Sequence, residues 1–160
     1  MSVLVVRHGL SEANNRENIG TLAFGASDAP LMEKGRAQAQ AAGRLLREQY
    51  ALNPEDAVAV STYLRTRETA THAGFVHQVQ YAELSEVDSG LPRLELKAML
   101  NRNEVPDAAV ARAELLLAGE LPEQQVWFTH GLVIAGLCKV LNVYTDMYKP
   151  GFTEIRELPL

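Results

Sequence analysis

Two short apolar runs constrain this chain more than any other feature. Val3-Leu4-Val5-Val6 runs without a spacer into Arg7-His8-Gly9, and the segment from Gln125 to Thr129 runs into His130-Gly131. Apolar, β-branched runs that do not alternate are what a strand needs when both of its faces are covered, as in a parallel sheet between helices. The chain between them fits that reading. Gly35 to Tyr50 is rich in Ala, Gln, Leu and Arg and reads as a helix, with Ala39, Ala42, Leu45 and Leu46 on one face; Asn53-Pro54 stops it. Ala57 to Ser61 reads as a second strand and Leu64 to Phe75 as a second helix, ended at Gly74. Val79 to Leu84 alternates and reads as a third strand. Leu91 to Asn103 is weakly helical, and Pro106 to Ala118 is a clearer helix before Gly119. Leu132 to Leu141 is a further helix, and Phe152 to Leu158 a last, edge strand. Strands alternating with helices predict an α/β fold with a mostly parallel central sheet covered on both faces. No repeat, linker or low-complexity segment divides the chain, so residues 1–160 are expected to form a single domain.

Bulk properties narrow the function classes. The chain has 160 residues and a net charge of −5, which argues against nucleic-acid binding through a broad electrostatic footprint. A single cysteine, Cys138, excludes an internal disulfide and a thiolate zinc cluster, and its apolar neighbours read as core. No apolar run approaches the ~20 residues that cross a bilayer, and Val3–Val6 is too short for a signal sequence. A cytoplasmic location without membrane partners is the expectation.

The polar residues at the strand ends carry the chemistry. Ligands of open parallel sheets sit at the carboxyl ends of the strands. Here those ends would deliver Arg7, His8 and Ser11, then Arg65, then Glu86, then His130. Two guanidiniums at one point suit a dianionic phosphoryl group, since each fork donates two hydrogen bonds. A neutral imidazole beside them is a competent nucleophile towards phosphorus. A second histidine adds charge stabilisation in the transition state, and a desolvated carboxylic acid can protonate the leaving group. Gly9 and Gly131 lack a Cβ, so backbone can approach the phosphate closely. His72 and His77 lie away from strand ends and read as ordinary surface or core residues. No histidine has ligand spacing to another, so no metal is expected.

At this point the residues resemble the histidine phosphatase superfamily, in its phosphoglycerate mutase-like branch. Arg7-His8-Gly9-Leu10-Ser11-Glu12-Ala13-Asn14 is similar to an Arg-His-Gly-x-Ser-x-x-Asn signature. Gly25, Asp28, Pro30, Leu31, Gly35, Gln38 and Ala39 follow at the spacing of the next block. Ser61 to Ala70 resembles Ser-Pro-Leu-x-Arg-Thr-x-x-Thr-Ala, Leu84 to Gly90 resembles Leu-x-Glu-x-x-x-Gly, and Phe128-Thr129-His130-Gly131 resembles the block at the second histidine. The resemblance implies a three-layer α/β/α sandwich without metal or organic cofactor. It implies that His8 carries the phosphoryl group, that Arg7, Asn14, Arg65, His130 and the Gly131-Leu132 backbone bind phosphate, and that Glu86 donates the proton. Glu83 and Asp88, at the same strand end, remain alternatives for that donor.

The departures are informative. Thr62-Tyr63 replaces Pro-Leu, Thr129 replaces Ser, and Met32 replaces a Thr that would cap the following helix, a loss of about 1 kcal/mol. Only about 40 residues separate Gly90 from His130, where mutases of this branch carry a longer insertion over the site. Phosphohistidine left open to water favours hydrolysis. The expected activity is therefore hydrolysis of a phosphomonoester, on a phosphorylated small molecule or a phosphoprotein. A protein phosphohistidine phosphatase, a mutase-type phosphotransferase and a phosphate-binding module without activity are the alternatives. Arg16, Arg93 and Arg102 are candidates for a second anionic group on the substrate.

Overall fold

A computed structural model of the protein describes residues 2–160. Among them are five strands, β1 (Val3–Arg7), β2 (Val58–Val60), β3 (Gln78–Gln80), β4 (Val126–Thr129) and β5 (Ile155–Leu158). Five α-helices accompany them: α1 (Glu33–Glu48), α2 (Leu64–His72), α3 (Arg93–Asn101), α4 (Asp107–Ala118) and α5 (Gly131–Leu141). The sheet order is β3-β2-β4-β1-β5. All pairings are parallel except that of β1 with β5, which is antiparallel.

The burial of β1 through Val6, and of all of β2 and β4, follows from helices on both faces. Leu4, Val6, Val58, Val60, Val126 and Phe128 point to one side, where they pack with Leu46 of α1 and Ala70 of α2. Val3, Val5, Ala59 and Trp127 point to the other, against Ala109 and Ala113 of α4 and Ile134 and Leu137 of α5. This is the α/β/α arrangement that the alternation of patterns predicts. None of the helices of the described residues is long and apolar enough to cross a membrane.

Three local expectations are corrected. The buried stripe of α1 is Ala39, Ala42, Gly43 and Leu46, and Leu45 is 42% exposed. Leu45 stands about 100° round the helix from Leu46, while Gly43 lets the backbone of α1 approach the Ala73 carbonyl. The third strand covers Gln78–Gln80 and then turns into a 3-10 turn at Ala82–Leu84, so the alternation from Val79 to Leu84 is not that of a strand. The last strand begins at Ile155 because Thr153 takes a left-handed backbone, with φ 57°.

The long segment after β1 is ordered by its own polar residues. It makes 3-10 turns at Glu12–Asn14 and Arg16–Asn18, and Ser11 bridges to Leu31. Met32 occupies the N-cap of α1 without a capping side chain. The first turn of α1 instead meets the backbone of residues 9 and 10 directly: a Cβ on Gly35 would overlap the Leu10 carbonyl, and Gln38 Oε1 accepts from Leu10 N–H at 3.0 Å. Gly35→Ala is expected to lower the urea midpoint, costing about 1–3 kcal/mol through overpacking, with an unchanged m-value.

Candidate active site

Parallel pairing of β1 with β4 matches Arg7 to Thr129, so the next residues, His8 and His130, lie side by side. Their ring centroids are 5.2 Å apart at an interplanar angle of 62°. Both are buried. His8 Nδ1 is 2.8 Å from the Gly9 carbonyl oxygen. A carbonyl only accepts, so Nδ1 carries the proton and Nε2 carries the free lone pair. Arg65 Nε–H donates to that Nε2 at 3.2 Å. Burial, then Arg7 and Arg65, hold the His8 pKa well below the usual histidine value, so the ring is neutral.

Arg65 stands in the first turn of α2, and Thr69 binds that turn to the segment just after β1. The Thr69 hydroxyl donates to the Arg65 carbonyl at 2.6 Å and accepts from Gly9 N–H at 3.0 Å. Arg65 Nη1 donates to the Ala26 carbonyl, which draws in the loop after β1. Arg7 Nη1 donates to the Pro150 carbonyl at 2.9 Å, and its guanidinium lies 3.9 Å from the centroid of Phe152. Burial, offset in part by Glu86, lowers the Arg7 pKa to about 10, so it stays charged at neutral pH.

His130 Nε2 is 2.8 Å from Ser61 Oγ. Two buried nitrogens at this point have no partner among the described residues: Arg7 Nε and His130 Nδ1. Unpaired polar atoms in a buried site are costly unless a ligand completes them. Gly131 opens α5, and a Cβ there would stand 3.2 Å from Arg7 Nε. Arg7 thus lies against the helix start, where the first N–H groups have no intrahelical partner and favour anions.

Glu86 follows the 3-10 turn, with Oε1 accepting from Val87 N–H at 2.9 Å. Burial raises its pKa, against the opposing pull of that bond and of Arg65 and Arg7. Glu86 and Asp88 line the cleft, whereas Glu83 does not. Arg112 holds the turn by donating to the Glu83 and Ser85 carbonyls. Asn14 also lines the cleft; its Oδ1 accepts from Ser11 N–H and Oγ–H, which leaves its Nδ2 end to donate. The arrangement can bind a phosphoryl dianion, present a nucleophilic nitrogen and supply a proton.

The sequence profile of the histidine phosphatase superfamily (branch 1) matches residues 3–114. The chain belongs to this superfamily. None of the curated proteins matches it. Among solved structures, TTHB049 from Thermus thermophilus is 27% identical with a TM-score of 0.67, over 99% of this chain and 94% of that one. The mycobacterial glucosyl-3-phosphoglycerate phosphatase Rv2419c, solved with VO3, shares the fold at 20% identity and a TM-score of 0.64, over 98% and 90% of the chains. A phosphoserine phosphatase from Entamoeba histolytica, in complex with 3-phosphoglyceric acid, does so at 19% and 0.63, over 98% and 89%. The fold is phosphoglycerate mutase-like.

The superfamily match ends before His130, so the second half of the site rests on its geometry. Of the residues picked out at the strand ends, Arg7, Arg65 and Glu86 line one cleft of about 490 Å³, and the buried His8 and His130 rings stand behind them, His8 against Arg65. Ser11 instead points its hydroxyl into Asn14. His77 faces Glu55 at the surface. Of the candidates for a second anionic group, Arg93 lines the cleft and Arg16 and Arg102 do not; Arg102 pairs with Glu104. Lys97 and Lys149 join Arg93 there, and sequence reasoning missed both, since neither lies at a strand end or in a motif. Tyr63 also lines the cleft, with its ring centroid 4.9 Å from that of His130 and 4.8 Å from the Arg65 guanidinium. Phe152 beneath Arg7 had no sequence signal at all.

Burial of His8 and His130 as neutral rings has a consequence for stability. Both folded pKa values lie well below the ordinary value of 6.5. As pH falls below about 6.5 the unfolded chain takes up these protons first, so the stability present above that pH is lost. Replacing both histidines by Gln is expected to flatten the fall in Tm between about pH 7.5 and 5.5, measured by calorimetry against wild type.

Proposed function

We propose that the protein is a phosphomonoesterase that works through a phosphohistidine on His8. The observation that carries this reading is the fixed tautomer: Nδ1–H is held by the Gly9 carbonyl, so Nε2 is the nucleophile and it faces Arg65. Superfamily membership supports the same chemistry. A phosphate dianion would take hydrogen bonds from Arg7, Arg65, His130, Asn14 and the N–H groups of Gly131 and Leu132. His8 Nε2 attacks phosphorus, the N–P bond forms, and the ester P–O bond breaks. Glu86, whose pKa burial raises, gives its proton to the leaving oxygen. Water then attacks the phosphohistidine, Glu86 takes a proton from it, and inorganic phosphate leaves as the N–P bond breaks.

The substrate is proposed to be a phosphorylated small molecule. A cleft of about 490 Å³ is the size of a small-ligand site, and the mycobacterial and Entamoeba relatives by fold are named for small phosphorylated substrates. Five cationic side chains and two carboxylates line it, against a net charge of −5 for the chain. Arg93, Lys97 and Lys149 suit a second anionic group on the substrate.

His8→Ala is expected to abolish phosphate release from an aryl phosphate and the acid-labile, alkali-stable label on the protein; unchanged turnover would sink the proposal. Phosphate release, as opposed to transfer between two sugar acids, separates it from a mutase. Glu86→Gln is expected to cost about 10²–10⁴ in rate on an alkyl phosphate and far less on an aryl phosphate with a good leaving group. The pH profile of kcat/KM is expected to be bell-shaped. Its acid limb is protonation of His8, below the ordinary histidine range, and its alkaline limb is loss of the Glu86 proton, above the ordinary carboxyl range. Glu86→Gln should remove the alkaline limb and keep the acid one; comparing the two enzymes cancels the ionisation of the substrate itself.

A further inference from the structure

We infer that Arg156 is a positioning residue for the phosphate-binding Arg7, acting through the loop between α5 and β5; this rests on the role proposed for Arg7. Arg156 is in β5 and is 3% exposed. Its guanidinium donates to two successive loop carbonyls, Nη1 to Tyr148 at 2.7 Å and Nη2 to Met147 at 2.8 Å. Nε–H donates to Glu154, Nη1 also meets Cys138 Sγ at 3.5 Å, and the Tyr144 ring covers the group with its centroid at 4.7 Å. A planar fork that spans two carbonyls fixes a backbone segment in position and direction, which a point charge does not.

The fixed segment leads straight into the site. Lys149, next in the chain, lines the cleft. The Pro150 carbonyl accepts from Arg7 Nη1, and the Phe152 ring lies under the same guanidinium. Thr153 N–H then closes the loop on the Arg7 carbonyl at 2.9 Å. Arg7 is half-buried without a salt bridge to a carboxylate among the described residues, so one carbonyl and one ring orient it. The loop itself has little regular structure, and Asn142, Tyr144 and Thr153 hold left-handed backbones, a conformation that needs outside restraint. Arg156 supplies that restraint at the middle of the loop. Its hold on Met147 and Tyr148 sets where the Pro150 carbonyl and Phe152 stand, and through them the direction of the Arg7 donors.

The test is a double-mutant cycle read by calorimetric binding of inorganic phosphate, a measurement that does not need turnover. Arg156→Gln is expected to weaken phosphate binding about tenfold in the wild-type background, and less than about twofold when Arg7 is already Ala. Arg156→Lys, which keeps the charge and loses the fork, is expected to behave as Gln does. An equal loss in both backgrounds, or none, overturns the inference and leaves the proposed activity standing. If the wild-type protein binds no phosphate, the reading of the site fails and this inference with it. Should Arg156→Gln not fold, Tyr144→Leu is read in the same cycle, since Tyr144 is 41% exposed; a loss of about twofold only where Arg7 is present supports the inference, and an equal or absent loss overturns it.

Discussion

The parallel pairing of β1 with β4 is the contact on which the rest of the site depends. Strands that run in register release their next residues at the same height, so His8 and His130 arrive together at one edge of the sheet. Neither is delivered by a long flexible loop. The His8 backbone is held on β4, its N–H donating to the Thr129 carbonyl at 3.1 Å. The sequence order of the sheet makes this possible: β1 is crossed over α1 and β2 before β4 slots in between. Central strands are the most rigid part of such a sheet, and rigidity is what a site needs when its donors must be pre-aimed at developing charge.

Placing cations and imidazoles in that position has a cost, and the structure shows how it is limited. Burial lowers the pKa of Arg7 and Arg65 and is the first cause of each shift. Carboxylate partners would relieve that burial but would also occupy the donors a phosphate needs. Here the guanidiniums are faced by aromatic rings instead, Arg7 by Phe152 and Arg65 by Tyr63. A ring holds the plane of a guanidinium and leaves its in-plane N–H groups available. The unpaired Arg7 Nε and His130 Nδ1 are what such a design leaves behind.

The sequence made the skeleton of this arrangement legible because the constraints on it are local. A strand buried on both faces has to be apolar throughout, and β1 and β4 are, so their ends could be found and the residues after them read as a rim. Arg65 was found by its place after β2, although it stands on the helix and not on the strand. The rest was hidden for reasons of the same kind. Residues Val79 to Leu84 alternate like a strand, but the chain leaves the sheet at Gln80 and turns, so that the Leu84 carbonyl can accept from Thr129 Oγ1 at 2.6 Å. Lys97, Lys149 and Phe152 come from a helix face and an irregular loop, where no periodicity distinguishes a cleft residue from a solvated one. Leu45 was assigned to the core because a leucine there completes an apolar face; the close approach of α1 and α2 uses Gly43 instead.

The position of Glu86 follows from the same division of labour. Arg7, His8, Arg65 and His130 stand on strand ends and helix starts, while this carboxylate sits on an irregular segment anchored by Arg112 and by the Thr129 hydroxyl. A proton donor has to serve a leaving group whose position varies with the substrate, whereas the phosphoryl group is always the same. Burial sets its protonation, and Arg65 and Arg7 pull the other way. The guanidiniums that would gather the dianion thus also limit how far the acid is raised. A dianion there would offset their charge and weaken the downward pull on Glu86, so the proposed acid would hold its proton more firmly with the site filled. The phosphate cluster and the acid are therefore one electrostatic unit, and its balance shifts when the site fills.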